Sequence, residues 1–265
     1  MKPILIIIPL ALLIILHIQC TMKTPTVDLS QANIKIDSCG LMYKGHLLEL
    51  DTPAQEWIKV LGEPSRTIGV GPVWDNLGIV LDEFQNENGM VARVYIFFLN
   101  LDSPDGQAGK LNNARDFESA QHVADRNMKN GVSLISDEIM KEIQTNNKKN
   151  KKNYIYPYTT YQGYVSLHDC PIKSGMKVEE INAYRENLPY STKFRYIDQA
   201  IDGVNDSGVT NKTFGGDYKS SGTACKDGRL QFYRLNYNAN HNLEYLMIGY
   251  ESLSDYKSRK KYEKI

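Results

Sequence analysis

Apolar positions alternate in short runs along most of the chain and shift to helical spacing in three places. Between Ile34 and Leu50 a short strand, a turn at Gly45 and a second strand are expected. From Thr52 to Gly62 the spacing becomes helical, with Trp57, Val60 and Leu61 on one face. Thr52 suits the N-cap, Pro53 the first helical position and Glu56 the first turn, while Gly62 followed by Pro64 stops the helix. Strands over Ile79–Phe84 and Met90–Leu99 flank Asn88–Gly89, a hairpin dipeptide whose residues both tolerate positive φ. The unbroken run Tyr95–Leu99 predicts a central strand covered on both faces.

The pattern then recurs. Tyr164–Leu167 reads as a strand. Ser174–Ile181 reads as a second helix start, with Ser174 as cap and Glu179 and Glu180 in the first turn, and Pro189 as its stop. Lys193–Ile197, Leu230–Tyr237 and Leu243–Glu251 read as strands, with turns at Lys226–Asp227–Gly228 and Asn238–Asn242. Between the two copies, Phe117, Ala120, Ala124 and Met128 recur at helical spacing, and the Asn/Lys run 146–153 is a solvated loop.

The expected fold is α+β: two helix-plus-antiparallel-sheet repeats joined by an amphipathic helix. The expected organisation is a signal segment 1–20, a tether 21–33, a first unit with its connecting helix 34–145, a second unit 154–252 and a basic tail 253–265.

The first segment carries the clearest chemistry. Lys2 precedes a nearly unbroken aliphatic run, Ile4–Ile18, that ends near Cys20. It falls short of the ~20 apolar residues that cross a bilayer comfortably. A basic n-region, a short apolar h-region and a cysteine form the layout of a bacterial lipoprotein signal, with Cys20 as the lipidated residue; an uncleaved short anchor and an ordinarily cleaved signal peptide are the alternatives. His17 and Gln19 depart from the usual lipobox, which has an aliphatic residue three before the cysteine and a small one directly before it. The expectation is a cell-envelope protein held to a membrane by acyl chains, its domain in the periplasm. Thr21–Gln31 has the composition of a tether.

Charge and composition remove other classes. Lys plus Arg equals Asp plus Glu, at 31 each, so nothing electrostatic favours nucleic acid. Seventeen tyrosines against seven phenylalanines suit wet interfaces and half-exposed strands. In an oxidising compartment Cys170 and Cys225, which fall in the same repeat, are expected to pair, leaving Cys39 as an odd, buried thiol.

His168–Asp169–Cys170 invites a Cys–His reading, since residues two apart on a strand share a face. No nucleophile context surrounds it, and a strand-end disulfide is the stronger expectation. Trp74 and Asp75 are possible binding residues, but a core indole and a turn-starting acid before Gly78 are the stronger expectation. Asp102–Gly106 lacks the ligand alternation of an EF-hand, and the five histidines lack metal spacing. No metal, cofactor or catalytic residue is expected.

Thr52, Glu56, Trp57, Leu61, Gly62 and Pro64 resemble the helix start and stop of SmpA/OmlA-type lipoprotein domains and of the tandem β-lactamase-inhibitor-protein fold. Leu61–Gly62–Glu63–Pro64–Ser65–Arg66 followed by Val73–Ile79, with Trp74–Asp75 and Gly78, resembles a family of bacterial envelope lipoproteins without an assigned activity. The resemblance covers roughly Ile34–Leu99 and implies no catalytic role. The function expected is a membrane-anchored, non-catalytic protein-binding module. The alternatives are a toxin-neutralising immunity-type lipoprotein and an envelope enzyme using His168 and Cys170.

Overall fold

A computed structural model describes residues 26–37, 40–69, 71–82, 90–108, 111, 155–188, 193–197, 212–217, 230–238 and 240–251. Two sheets and a few short helices make the fold α+β, and mostly β. Strands β1 (Ile34–Ile36), β2 (Leu41–Tyr43) and β3 (His46–Leu48) precede helix α1 (Ala54–Leu61). Strands β4 (Arg66–Ile68), β5 (Gly71–Trp74), β6 (Ile79–Asp82) and β7 (Arg93–Phe97) follow, then the single turn α2 (Pro104–Gln107). The later part contains β8 (Val165–Leu167), β9 (Cys170–Ile172), α3 (Val178–Glu186), β10 (Arg195–Ile197), β11 (Lys212–Asp217), β12 (Leu230–Tyr237) and β13 (Leu243–Glu251).

One sheet runs β3-β2-β1-β8-β9, with β1 and β8 parallel and the other pairs antiparallel. The other runs β10-β11-β12-β13-β7-β6-β5-β4 and is antiparallel throughout. Each sheet therefore draws strands from both halves of the chain.

The alternation of side chains explains the layering. On β6 and β7, Ile79, Leu81, Val94 and Ile96 enter the core shared with the five-stranded sheet, where Ile34, Ile36, Val165 and Leu167 meet them. Their neighbours Val80, Tyr95 and Phe97 point the other way, into a second cluster with Val73, Leu101, Leu111, Tyr156 and Tyr245. The expectation for Tyr95–Leu99 holds: β7 lies between β6 and β13 and is buried on both faces.

Several local expectations change. The stretch 34–50 holds three strands, because Lys44 and Gly45 (φ 49° and 85°) make a two-residue turn between β2 and β3. Pro53, not Thr52, occupies the N-cap of α1. Thr52 instead donates its hydroxyl to the Glu49 carbonyl (2.6 Å) and accepts from the Trp57 indole (3.1 Å). Gly62, at φ 85°, ends the helix as expected, returning its N–H to the Ile58 carbonyl at 2.9 Å. The second helix starts three residues later than its serine suggested. Lys177 is the cap, its N–H bonded to the Glu180 carboxylate (3.2 Å), while Ser174 reaches the Phe98 carbonyl. Strands β4, β5, β9 and β11 have no counterpart in the sequence reading. The segments 113–129 and 146–153, the turns at 88–89 and 226–228, and the tail 253–265 lie outside the described residues.

Candidate functional site

The His168–Cys170 triplet is not a strand. Leu167 pairs with Cys170 across a two-residue turn, and His168 and Asp169 both adopt left-handed backbone conformations (φ 50° and 62°). The two side chains go to different partners. His168 Nε2 lies 2.6 Å from the Tyr233 hydroxyl. The Cys170 thiol points into the core, 3.7 Å from the Ile181 carbonyl of α3.

Burial decides their chemistry. Desolvation, aided by the nearby Arg185 charge and opposed by Asp37, pushes His168 down to about 4. Desolvation pushes the Cys170 thiol up to about 12, against a smaller lowering by Arg185. A neutral histidine and a neutral thiol with separate partners do not make a nucleophile pair at neutral pH. Cys170 is a free, buried thiol. Its expected partner Cys225 lies outside the described residues, as do Cys20 and Cys39.

Trp74 and Asp75 organise a different place. Trp74 is 1% exposed and donates its indole N–H to the Gly62 carbonyl at 2.7 Å, so it belongs to the core. Next to it, Asp75 accepts a two-pronged bond from Arg66, Nε to Oδ2 at 2.9 Å and the guanidinium to Oδ1 at 3.1 Å. The Asp75 N–H donates to the Ser65 hydroxyl (3.0 Å). The Leu-Gly-x-Pro-Ser-Arg and Trp-Asp-x-x-Gly segments thus touch at three points across the β4–β5 hairpin.

The same carboxylate captures a distant part of the chain. Asp75 Oδ1 accepts the Tyr158 N–H (2.9 Å), and the Asp75 carbonyl accepts the Thr159 N–H (2.8 Å). Arg66 adds a bond to the Tyr156 carbonyl (3.0 Å) and stacks its guanidinium 5.0 Å from the Tyr158 ring centre. Gly78, at φ 73°, lets the strip pass: a β-carbon there would stand 2.4 Å from the Tyr161 nitrogen. Ser65, Arg66, Thr67, Asp75, Asn76, Tyr158 and Thr159 line an open groove of about 720 Å³ at the β4 edge of the large sheet.

Sequence reasoning located Asp75 but missed Arg66 and Tyr158 as members of this site. The signal for Arg66 was its place in the Leu-Gly-x-Pro-Ser-Arg run. The signal for Tyr158 was the tyrosine-rich stretch after the Lys/Asn loop, which reads equally well as core. Most described tyrosines are in fact core: Tyr43, Tyr95, Tyr156, Tyr161, Tyr233, Tyr237 and Tyr245 are buried, whereas Tyr158 is 41% exposed.

Among the described residues no group of three or more His, Cys, Asp or Glu side chains converges as metal ligands, and no helix is long and apolar enough to cross a membrane. Residues 33–182 match the model of a family described as a domain of unknown function, DUF7738. The chain belongs to this family. The DUF7738 span runs from the start of β1 into α3 and contains the whole Arg66–Asp75–Tyr158 groove, whereas β10–β13 lie beyond it. No curated protein and no solved structure matches the chain.

Proposed function

We propose that this DUF7738 protein is a lipid-anchored, non-catalytic protein-binding module of a bacterial cell envelope, facing the periplasm. The observation that carries the binding reading is Tyr158, an exposed aromatic residue whose backbone N–H Asp75 holds and whose ring Arg66 faces, beside a sheet edge. A preorganised aromatic loses little conformational entropy on contact and offers both an apolar face and a hydroxyl. The adjoining Ser65, Thr67, Asn76 and Thr159 supply hydrogen-bonding groups around it. The burial of Cys170 and the separate partners of its thiol and of His168 speak against the enzyme alternative.

The anchor rests on the run Ile4–Ile18 and Cys20. We also read the two chain halves as diverged helix-and-sheet repeats joined by an amphipathic helix over 113–129. In support, β4–β7 and β10–β13 form the two flanks of one sheet, and a short helix precedes each set.

Photo-crosslinking tests the partner. Benzoylphenylalanine in place of Tyr158, in the full chain in intact bacteria, is expected to yield a discrete protein adduct, and Asn76→Arg in the same chain is expected to abolish it. No adduct at 158, or an adduct unchanged by Asn76→Arg, would contradict the groove as the docking place.

A further inference from the structure

The tether meets the domain at the β2–β3 hairpin. Asn33, the last tether residue, accepts the Lys44 N–H at 2.8 Å, and Ile34 pairs with Tyr43. The tip Lys44–Gly45 is therefore beside the point where chain from Cys20 reaches the fold. Thirteen residues lie between Cys20 and Ile34, a length over which a coil would span about 20 Å. The radius of gyration expected for a domain of this size is about 17 Å. A lipid on Cys20 would keep this end of the domain at the bilayer.

The hairpin is built to hold an apolar group outward. Leu41 and Leu48 pair with each other and point into the core, at 4% and 2% exposed. Leu47 faces the other way and is 57% exposed, the highest value among large hydrophobic residues described. Gly40 makes room for it: a β-carbon there would stand 2.6 Å from Leu47 Cδ1. Lys44, Gly45 and His46 beside it are also exposed, and Met42, directly opposite Leu47, is half-buried. A single exposed leucine is ordinary on a protein surface. One fixed on a rigid two-residue hairpin, next to a lysine and at the root of the tether, has the chemistry of a membrane contact, with an apolar group to insert and a cation for phosphate headgroups.

We propose that the β2–β3 hairpin docks on an anionic phospholipid bilayer, Leu47 entering the interface and Lys44 meeting the headgroups. This rests on the anchored reading above. It would orient the domain on the membrane, beyond tying it there.

The test uses the full chain carrying Leu47→Trp, reconstituted into phosphatidylglycerol/phosphatidylcholine vesicles with brominated acyl chains. Trp57 and Trp74 are 1% exposed and serve as silent background. Emission from the new indole should shift blue and be quenched, whereas Tyr158→Trp should not be. Lys44→Gln should lower the docked-to-undocked ratio about fivefold, the effect of roughly one headgroup-paired lysine. Wild-type chain that does not sediment with vesicles would overturn the anchor and this inference together. Sedimentation with an unquenched Leu47→Trp indole would overturn the hairpin contact alone. Equal quenching of the Tyr158→Trp indole, or a blue shift that grows with protein concentration in the absence of vesicles, would also overturn it, the last showing that a second copy covers Leu47.

Discussion

The imidazole of His168 and the hydroxyl of Tyr233 meet at 2.6 Å and tie the two sheets together. His168 sits in the β8–β9 turn of the five-stranded sheet, and Tyr233 belongs to β12 of the other. Their rings pack edge to face, 5.3 Å between centres. The Tyr233 hydroxyl also reaches the Asp37 carbonyl (3.3 Å) at the end of β1.

The burial of His168 at this contact predicts an acid-sensitive stability. His168 titrates near 4 in the fold and near 6.5 in the unfolded chain. The unfolded chain therefore binds the proton first. Stability from this group is complete above about pH 6.5 and is lost as pH falls from there through about 4, by up to about 3 kcal/mol. Thermal melts from pH 7.5 to 4 should show a smaller drop for His168→Gln than for wild type. Parallel profiles would mean that His168 is solvated.

The Cys170 thiol should resist alkylation in the native protein. Its thiolate is suppressed by burial, with the thiol pushed up to about 12, and the side chain is fully buried. Mass spectrometry should find Cys170 modified by iodoacetamide only as fast as the protein unfolds, and His168→Gln should change that rate only through stability. Rapid modification at neutral pH, slowed by the histidine change at constant stability, would restore the enzyme reading.

Arg66 and Asp75 should be strongly coupled. Their side chains are 11% and 9% exposed, and each also binds the 156–158 strip. Removing one partner leaves a nearly buried charge, so Arg66→Ala or Asp75→Ala should each cost about 3–5 kcal/mol. Each should also release the strip to proteolysis near Tyr158. A double-mutant cycle by urea denaturation measures the coupling, and additive effects would show the pair to be independent.

A second clasp closes the β12–β13 turn. Asp105, in α2, accepts amide hydrogens from Asn238 (2.6 Å), Asn240 (2.8 Å) and Asn242 (2.7 Å). Partial burial pushes its carboxyl up, but these amides and the Lys177 charge outweigh that, and it titrates below its usual 3.8. Its contribution is therefore present above about pH 4 and lost as pH falls through the lowered value. Asp105→Ala should cost about 1–2 kcal/mol, the charged hydrogen bonds being discounted for exposure. Amide exchange at 238–242 should rise, and unchanged protection there would show that the turn holds itself.

Much of the fold was legible because its longest strands are apolar and bounded by turn residues. β12 and β13 begin and end where the pattern Leu230–Tyr237 and Leu243–Glu251 placed them. Trp57 was readable as a helix face, and it is 1% exposed. The two-residue turn at His168–Asp169 was not readable, since histidine and aspartate tolerate positive φ but are not the Asn-Gly or Asp-Gly pair that marks such a turn. Strands β4 and β5 hid behind Gly69, Gly71 and Pro72, which read as loop but lie at and beside a short edge hairpin, where proline is tolerated. The groove eluded the sequence because its members lie as far apart as Arg66 and Tyr158. What joins them is a buried ion pair that leaves no periodic trace.

The anchored reading and the bilayer contact both start from an acylated Cys20. Metabolic labelling with a fatty-acid analogue, comparing the wild-type chain with Cys20→Ala in bacteria, tests this most directly. Label should appear on the wild type and be absent from the variant, with the wild type in the membrane fraction and the variant no longer lipid-held there. Equal labelling of the two, or none on either while the wild type fractionates as a soluble protein, would contradict it.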